Sequence, residues 1–353
     1  MRLLRAILVV LLTLAPQAAL ACGAMVSEEG TAELLGFEAL LRWDGTTEEL
    51  LVSVDYRSGD PTFGWLMPLP AAPDIVEGDG ALIEEAFAIT EPPIAEEEGD
   101  GEGAGAPPAV GGAPEVDVIG RDTVGGLRFV TLGAQGASDV ARWMRKHDFG
   151  FHDRQEPVLQ GYLDKGWVVV AARVAPGEKL DASLVPVSFT FPTPELTYPL
   201  AMAGAGHEKI DLGMSLFVLS PFRPASTTYP ERVVEPDPSA GFGAPGRRLE
   251  LRYSAPLGGQ AERMGASPET WLTRYEANIP VQNLGQDLVL APAAEQIPVD
   301  YSDLGDEDGV LVWVFRVAVV LVAAVLAIWI SLGLARRRRS DEAPRMPSQS
   351  LPS

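Results

Sequence analysis

The chain carries a single cysteine, Cys22, in 353 residues. That excludes an internal disulfide and any multi-cysteine zinc site, so packing must stabilise the fold. Histidine occurs only at positions 147, 152 and 207, and lysine at four positions against 23 arginines. Asparagine occurs twice, and no Asn-x-Ser/Thr sequon exists, so N-glycosylation is not expected. The arginine excess reads as codon bias of a GC-rich genome. There is no Gly-x-Ser-x-Gly elbow, phosphate loop, dinucleotide fingerprint or His-Glu-x-x-His. The glycine-rich "GDGEGAGAPP" follows no strand signal and opens no helix, so it reads as linker.

The two ends are informative. Arg2 and Arg5 precede an apolar stretch over 7–15, and Ala19-Leu20-Ala21 is a small-x-small cleavage pattern. Residues 1–21 therefore read as a secretory signal peptide. Near the other end, 317–335 contains no charge, and 310–315 extends the run beyond Arg316. At about 1.5 Å per residue the uncharged run reaches about 28 Å, close to the thickness of a hydrocarbon core. Trp313 and Trp329 lie toward its ends, and Arg336 to Arg339 follow directly. Aromatic residues favour the membrane interface and clustered arginines favour the cytoplasmic side. The expectation is a single transmembrane helix over 310–335, an extracytoplasmic N-terminal domain and a cytoplasmic tail over 336–353.

Cleavage after Ala21 would leave Cys22 as the first residue, and these two are the expected processing residues. The position three before Cys22 is Ala19, where a lipobox prefers leucine, and the chain has its own span. Ordinary cleavage with an unlipidated Cys22 is the favoured reading; lipid attachment and an intermolecular disulfide are the alternatives.

Charge is lopsided. The chain carries −22, while the leader, Arg316 and the tail together hold +6, so the exterior holds −28. Such a surface repels nucleic acid and favours cationic or neutral partners. The exterior, about 285 residues, is large enough for a sizeable core.

Along the exterior, 34–43 is apolar-rich, Asp44-Gly45 is a hairpin dipeptide, and 50–56 alternates with period two. A turn cluster over 57–61 and a run over 63–67 complete what reads as an antiparallel meander within a β-rich part, 22–90. Residues 91–114 hold a run of acids among Gly, Ala and Pro, with no apolar period, and are expected to be a flexible linker. The remainder, 115–299, reads as α+β. It has a strand over 128–132 and a helix with Val140, Trp143, Met144 and His147 on one face, which Ser138 can cap. A second short helix over 156–165 ends at Gly166, with Val158, Leu159, Tyr162 and Leu163 inward. Strands follow over 167–174, 186–191, 196–202 and 214–219, with loop over 236–246, and 249–253 and 271–279 are the last strand or mixed elements. Residues 300–309 form an acidic spacer. The predicted fold class is α+β: a strand-rich antiparallel domain with an inserted helical hairpin, plus one C-terminal transmembrane helix.

Several stretches carry a family resemblance: Cys22-Gly23 after the leader, "DYRSGDPTFGWLMPLP", "DVARWMRKHDFGF" followed by "PVLQGYLDKGWVVVAARV", and "WLTRYEANI". In these the chain resembles the DUF2330 family of uncharacterised exported bacterial proteins. The motifs are structural in character, and the resemblance implies no activity and no catalytic residues. Some members place a second cysteine shortly after Cys-Gly; residues 24–30 contain none.

Candidate chemistry is sparse. His147 and His152 could form a His-x4-His metal pair, but His152 lies beyond Gly150, and a surface or capping role is the simpler reading. His207-Glu208 could supply a general base. Trp65, Trp143, Trp167 and Trp271 could line a carbohydrate groove, although aromatics at such positions are more often core. No catalytic, metal or cofactor residue is assigned and no cofactor is expected. The expected function is that of a membrane-anchored envelope protein with a non-catalytic binding or scaffold domain. Its partners would be the membrane, through one helix, and an envelope protein, with no nucleic acid. The alternative is an envelope hydrolase or metal-dependent enzyme with an unrecognised site.

Overall fold

Asp44 and Gly45 turn the chain between β2 (Glu33–Trp43) and β3 (Thr47–Arg57), as the dipeptide predicts. The Asp44 carboxylate accepts from the Thr46 and Thr47 N–H groups, each at 2.8 Å, and from the Thr46 hydroxyl. The Thr46 N–H first and the Thr47 N–H second hold that carboxyl below its usual range. Gly45 supplies the positive φ, 106°, that the tight turn requires. The computed structural model describes residues 24–26, 33–57, 64–91, 117–147, 149, 151–175, 185–206, 211–234 and 245–300. The expected leader, Cys22, nearly all of the acidic linker and everything beyond residue 300, including the expected span, lie outside the described residues.

The strand-rich, mostly antiparallel α+β class is observed. β4 (Gly64–Leu69) does not continue a meander from β3. It pairs with β1 (Ala24–Val26) and with β8 (Val168–Val174). β7 (Leu127–Gly133) and β6 (Asp117–Val124) complete a five-stranded antiparallel sheet in the order β1-β4-β8-β7-β6. β3 instead pairs with β9 (Val187–Pro192), inside an eight-stranded sheet. That sheet also contains β5 (Asp74–Glu77), β11 (Asp211–Ser220), β13 (Glu231–Val233), β14 (Leu249–Pro256) and β15 (Trp271–Pro280), in the order β13-β14-β15-β11-β2-β3-β9-β5. The expected meander therefore holds only for the β2–β3 hairpin, because β3 and β4 each take a partner about 100 residues or more further along the chain, β9 and β8.

The two sheets face each other across the main core. Period-two alternation sends Trp65, Met67, Phe129, Val170 and Ala172 inward from one sheet. Leu50, Val52, Phe189, Leu216 and Tyr275 come from the other. At the centre Trp65, Phe129 and Phe189 meet edge to face, with ring centroids 5.7–6.4 Å apart. A small third sheet, β10 (Leu196–Tyr198), β16 (Leu288–Pro292) and β12 (Pro224–Ser226), adds Leu196, Tyr198, Leu288 and Leu290 to the same core.

The central strands of both sheets also bury their outer faces, which is why those strands read as near-continuous apolar runs. Leu66, Val130, Leu132, Val169 and Ala171 lie under α2 (Ala137–Lys146) and α3 (Gln155–Leu163), the expected helical pair. Leu40, Leu51, Phe217, Leu219 and Leu272 lie under α1 (Ala81–Thr90), a helix within a stretch expected to be β-rich. The stretch over 196–202, expected to be strand, is β10 followed by α4 (Leu200–Gly206).

Ser138 does not cap α2, whose N-cap is Gly136 without a side-chain bond. The N–H of buried Ala137, which has no acceptor within the helix, is instead satisfied by Gln160 Oε1 of α3, at 2.9 Å. One amide thereby does the capping and also ties the two helices together. Val158 is half-buried, while Leu159, Tyr162 and Leu163 are buried as expected.

A charged chain crosses β14 and β15. Arg252, 6% exposed, reaches Glu250 at 2.7 Å and Glu276 at 3.0 Å. Glu250 also binds Arg232 at 2.8 Å, and Glu276 binds Arg274 at 2.6 Å. The Arg274 guanidinium lies 4.7 Å from the Phe87 ring and reaches Glu91 at the end of α1. The register shift between Leu251 and Tyr253 makes room for Arg252 between the two glutamates.

Candidate binding groove

The chain leaves α3 through Gly166, φ 80°, with Gly166 N–H bonded to Leu163 O and Trp167 N–H to Tyr162 O. This closure of the helix end sets the Trp167 ring 5.1 Å from that of Tyr162. Lys165 Nζ lies 5.3 Å from the Trp167 ring, 5.4 Å from the Tyr162 ring and 3.7 Å from Asp287 Oδ2. Asp287, 8% exposed, accepts from the Tyr162 hydroxyl and, at 3.2 Å, from Ala201 N–H. The aromatic ledge is thus anchored to α4 and to the strand that follows Asp287.

Trp167 opens onto a groove of about 450 Å³ where β6 begins, β7 ends and β8 begins. Asp117 and Ile119 of β6 form one side, and Gln135 and Asp139 another. Leu163 and Val168 supply further apolar lining. Ile119 is 52% exposed and presents apolar surface to the groove. Gly133 allows it to lie there, because a Cβ on Gly133 would stand 2.9 Å from Ile119 Cδ1. Asp139 pairs with Arg142 at 2.7 Å on the helix surface. Gln160 Nε2 donates to Gln135 O at 3.3 Å and to Asp164 at 2.8 Å, which steadies the wall. Apolar surface flanked by two carboxylates and an amide is suited to holding a ligand that has both an apolar body and a cationic or hydrogen-bonding group.

The four tryptophans separate clearly. Trp65, Trp143 and Trp271 are buried, and Trp167 alone of the four lines the groove. His147 caps the end of α2, with Nδ1 2.8 Å from Trp143 O and its ring stacked on Trp143 at 4.2 Å. His152 is exposed in the turn before α3 and its backbone N–H is bound by Gln155 Oε1. No group of three or more His, Cys, Asp or Glu that could hold a metal ion occurs among the described residues. His207, Glu208, Ala21 and Cys22 lie outside them. So does the expected span, and no helix among the described residues is long and apolar enough to cross a membrane.

One titratable group escaped sequence reasoning altogether. Glu48 of β3 is fully buried, and its contact is the Thr197 N–H, 3.4 Å from Oε2. Oε1 meets no partner among the described residues. Burial pushes its pKa up to about 8, a rise the Thr197 N–H only partly opposes. Glu48 does not line the groove.

A family model described as "Uncharacterized protein conserved in bacteria (DUF2330)" matches residues 16–236. No curated protein matches the chain. Among solved structures, baculovirus P35 is 14% identical with a TM-score of 0.35, the match covering 55% of this chain and 66% of that one. A mutated baculovirus P35 after caspase cleavage is 11% identical, covering 75% and 98%, with a TM-score of 0.31. P35 in the caspase-8/P35 complex is 12% identical, covering 77% and 95%, with a TM-score of 0.30.

Proposed function

This chain belongs to the DUF2330 family of uncharacterised proteins conserved in bacteria, and we propose that it is a single-pass envelope protein whose extracytoplasmic domain holds a partner in the Trp167 groove without performing chemistry on it. The observation that carries the binding reading is the groove itself. There a half-buried tryptophan and an exposed isoleucine are set between Asp117 and Asp139 on rigid elements. Packed strand ends and helix termini hold these side chains in place, which lowers the ordering cost of binding. Anchoring is supported by the order of features in the sequence: leader, strongly acidic exterior, uncharged run and four arginines.

Two measurements test the proposal. Protease added to spheroplasts should remove the domain and spare an epitope on the tail beyond Arg339; loss of the tail epitope with the domain protected refutes the topology. A photo-crosslinking residue placed at Ile119 or Trp167 should trap a partner in living cells, whereas the same residue at exposed Val233 on β13 should not. Equal cross-linking from all three positions, or none from the groove, would refute the binding site.

A further inference from the structure

We infer that the groove and the outer edge of β6 together form a docking track for an extended, basic segment of a partner polypeptide. The inference rests on the groove being a binding site and goes further, to the chemistry of what binds. Among the described residues β6 ends its sheet and pairs only with β7. An edge strand turns alternate N–H and C=O groups outward, and an added strand can take them up. In that mode main-chain bonds supply affinity and side-chain pockets supply specificity.

The pocket lies at the start of the strand. The bulge between Val118 and Gly120 makes Ile119 the irregular residue, and Ile119 stands exposed in the groove with Trp167. Asp117 and Asp139 place carboxylates beside that apolar surface, and the groove lining contains no lysine or arginine. Further along, Asp122 of β6 stands near Asp74 of β5, an edge strand of the other sheet. Burial, and then the Asp74 charge, raise the Asp122 carboxyl above its ordinary range. A cation brought by a partner relieves that repulsion. The cations already present are Arg121 on β6, Arg128 on β7, Lys165 beside Trp167, and Arg142, whose exposed ion pair with Asp139 a partner's cation joins or displaces. The −28 carried by the exterior attracts basic chains at long range.

Apolar side chains alternating with lysine or arginine fit this track. One face of such a segment meets Ile119 and Trp167 with the Asp117 and Asp139 carboxylates at its margin, and the other face carries its cations toward the Asp74–Asp122 pair. A neutral sugar could stack on Trp167 and donate hydroxyl hydrogen bonds to the carboxylates, but it brings no charge to the acidic track and no main-chain groups to the β6 edge.

The test uses the full chain in mild detergent and a fluorescein-labelled decapeptide of alternating lysine and valine, read by anisotropy at low salt. Binding is expected, and Asp117→Asn with Asp139→Asn should weaken it about tenfold. Added salt should weaken the wild-type interaction. A decapeptide of alternating glutamate and valine should not bind, and N-methylation of alternate amides in the lysine–valine peptide should abolish strand addition. Both substitutions lie on surface elements, and a thermal melt verifies folding; single Asp139→Asn serves if the double variant melts early. Equal binding by the glutamate peptide, by the double variant or by the N-methylated peptide overturns the inference. Cross-links at Ile119 in cells without binding of the lysine–valine peptide overturn it while leaving the groove reading intact. Absence of cross-links removes the groove reading itself.

Discussion

Glu48→Gln should make the protein more stable at neutral pH, and the gain should vanish in acid. Glu48 is fully buried with one oxygen unpartnered, and its pKa rises from 4.5 to about 8. Below about pH 4.5 the carboxyl is protonated in both the folded and the unfolded chain. Between about 4.5 and 8 the folded chain keeps the proton that the unfolded chain releases. The native state then binds more protons, so stability falls as pH rises through that window. Each unit corresponds to about 1.36 kcal/mol, which makes the loss about 3 kcal/mol at pH 7 and about 5 kcal/mol by pH 8. Glutamine has similar shape, keeps an oxygen for the Thr197 N–H, and does not titrate. Urea unfolding of both proteins at pH 5 and pH 8 measures the difference. The stability advantage of Glu48→Gln should grow by about 4 kcal/mol between those values. Parallel pH profiles for the two proteins would refute the argument. They would show that Glu48 is hydrated or paired in the folded chain.

Further perturbations probe other parts of the fold. Arg252→Met leaves Glu250 and Glu276 directly across from each other without their bridge; it should cost about 3 kcal/mol or more in urea unfolding, and an unchanged midpoint would show that the bridge contributes nothing. Gly204→Ala places a Cβ 2.5 Å from Leu284 O and 2.8 Å from Leu284 Cβ; a loss of about 1–3 kcal/mol is expected, and a neutral result would mean that α4 shifts freely. Intact mass of the mature chain should correspond to a start at Cys22 without lipid; a diacylglycerol increment abolished by Cys22→Ser would refute this. Replacing residues 92–114 with a short Gly/Ser linker should leave the melting temperature nearly unchanged, and a collapse would show that the segment packs.

Features encoded by neighbouring residues were legible in the sequence. The β2–β3 hairpin follows from alternation around Asp44-Gly45, and the α2 face from Val140, Trp143 and Met144 at helical spacing. Pairing between distant strands was not legible. β3 and β4 are neighbours in sequence, yet they belong to different sheets because β9 and β8 offer each a partner. β6 was missed because its half-exposed, charged residues carry little apolar pattern. The groove draws on positions 117–119, 133–139 and 163–168, so no local spacing could announce it. Trp167 was named among four tryptophans, but nothing local separated it from the three that became core. Glu48 did leave a signal. Period-two alternation places it on the face of Leu50 and Val52, both in the main core; a carboxylate in that register was a candidate for burial.

The two ways this fold buries acid lead to opposite mutational signs. A buried carboxyl can shed its charge by taking a proton, as Glu48 does at moderate pH. A guanidinium cannot, since arginine stays protonated throughout the accessible range. Arg252, 6% exposed, therefore depends on Glu250 and Glu276 being ionised, and both stand within 3.0 Å of it. Glutamine at position 276 would keep the shape and remove half of that compensation, and it would also take the negative charge from the 2.6 Å partner of Arg274. Glu276→Gln should therefore destabilise at pH 7, by about 3 kcal/mol. The chemically identical Glu48→Gln should stabilise at the same pH. Unfolding both variants side by side in urea tests the argument without reference to any absolute value. If the two substitutions shift the midpoint in the same direction, burial alone governs these glutamates and the arginine partners of Glu276 have no energetic role.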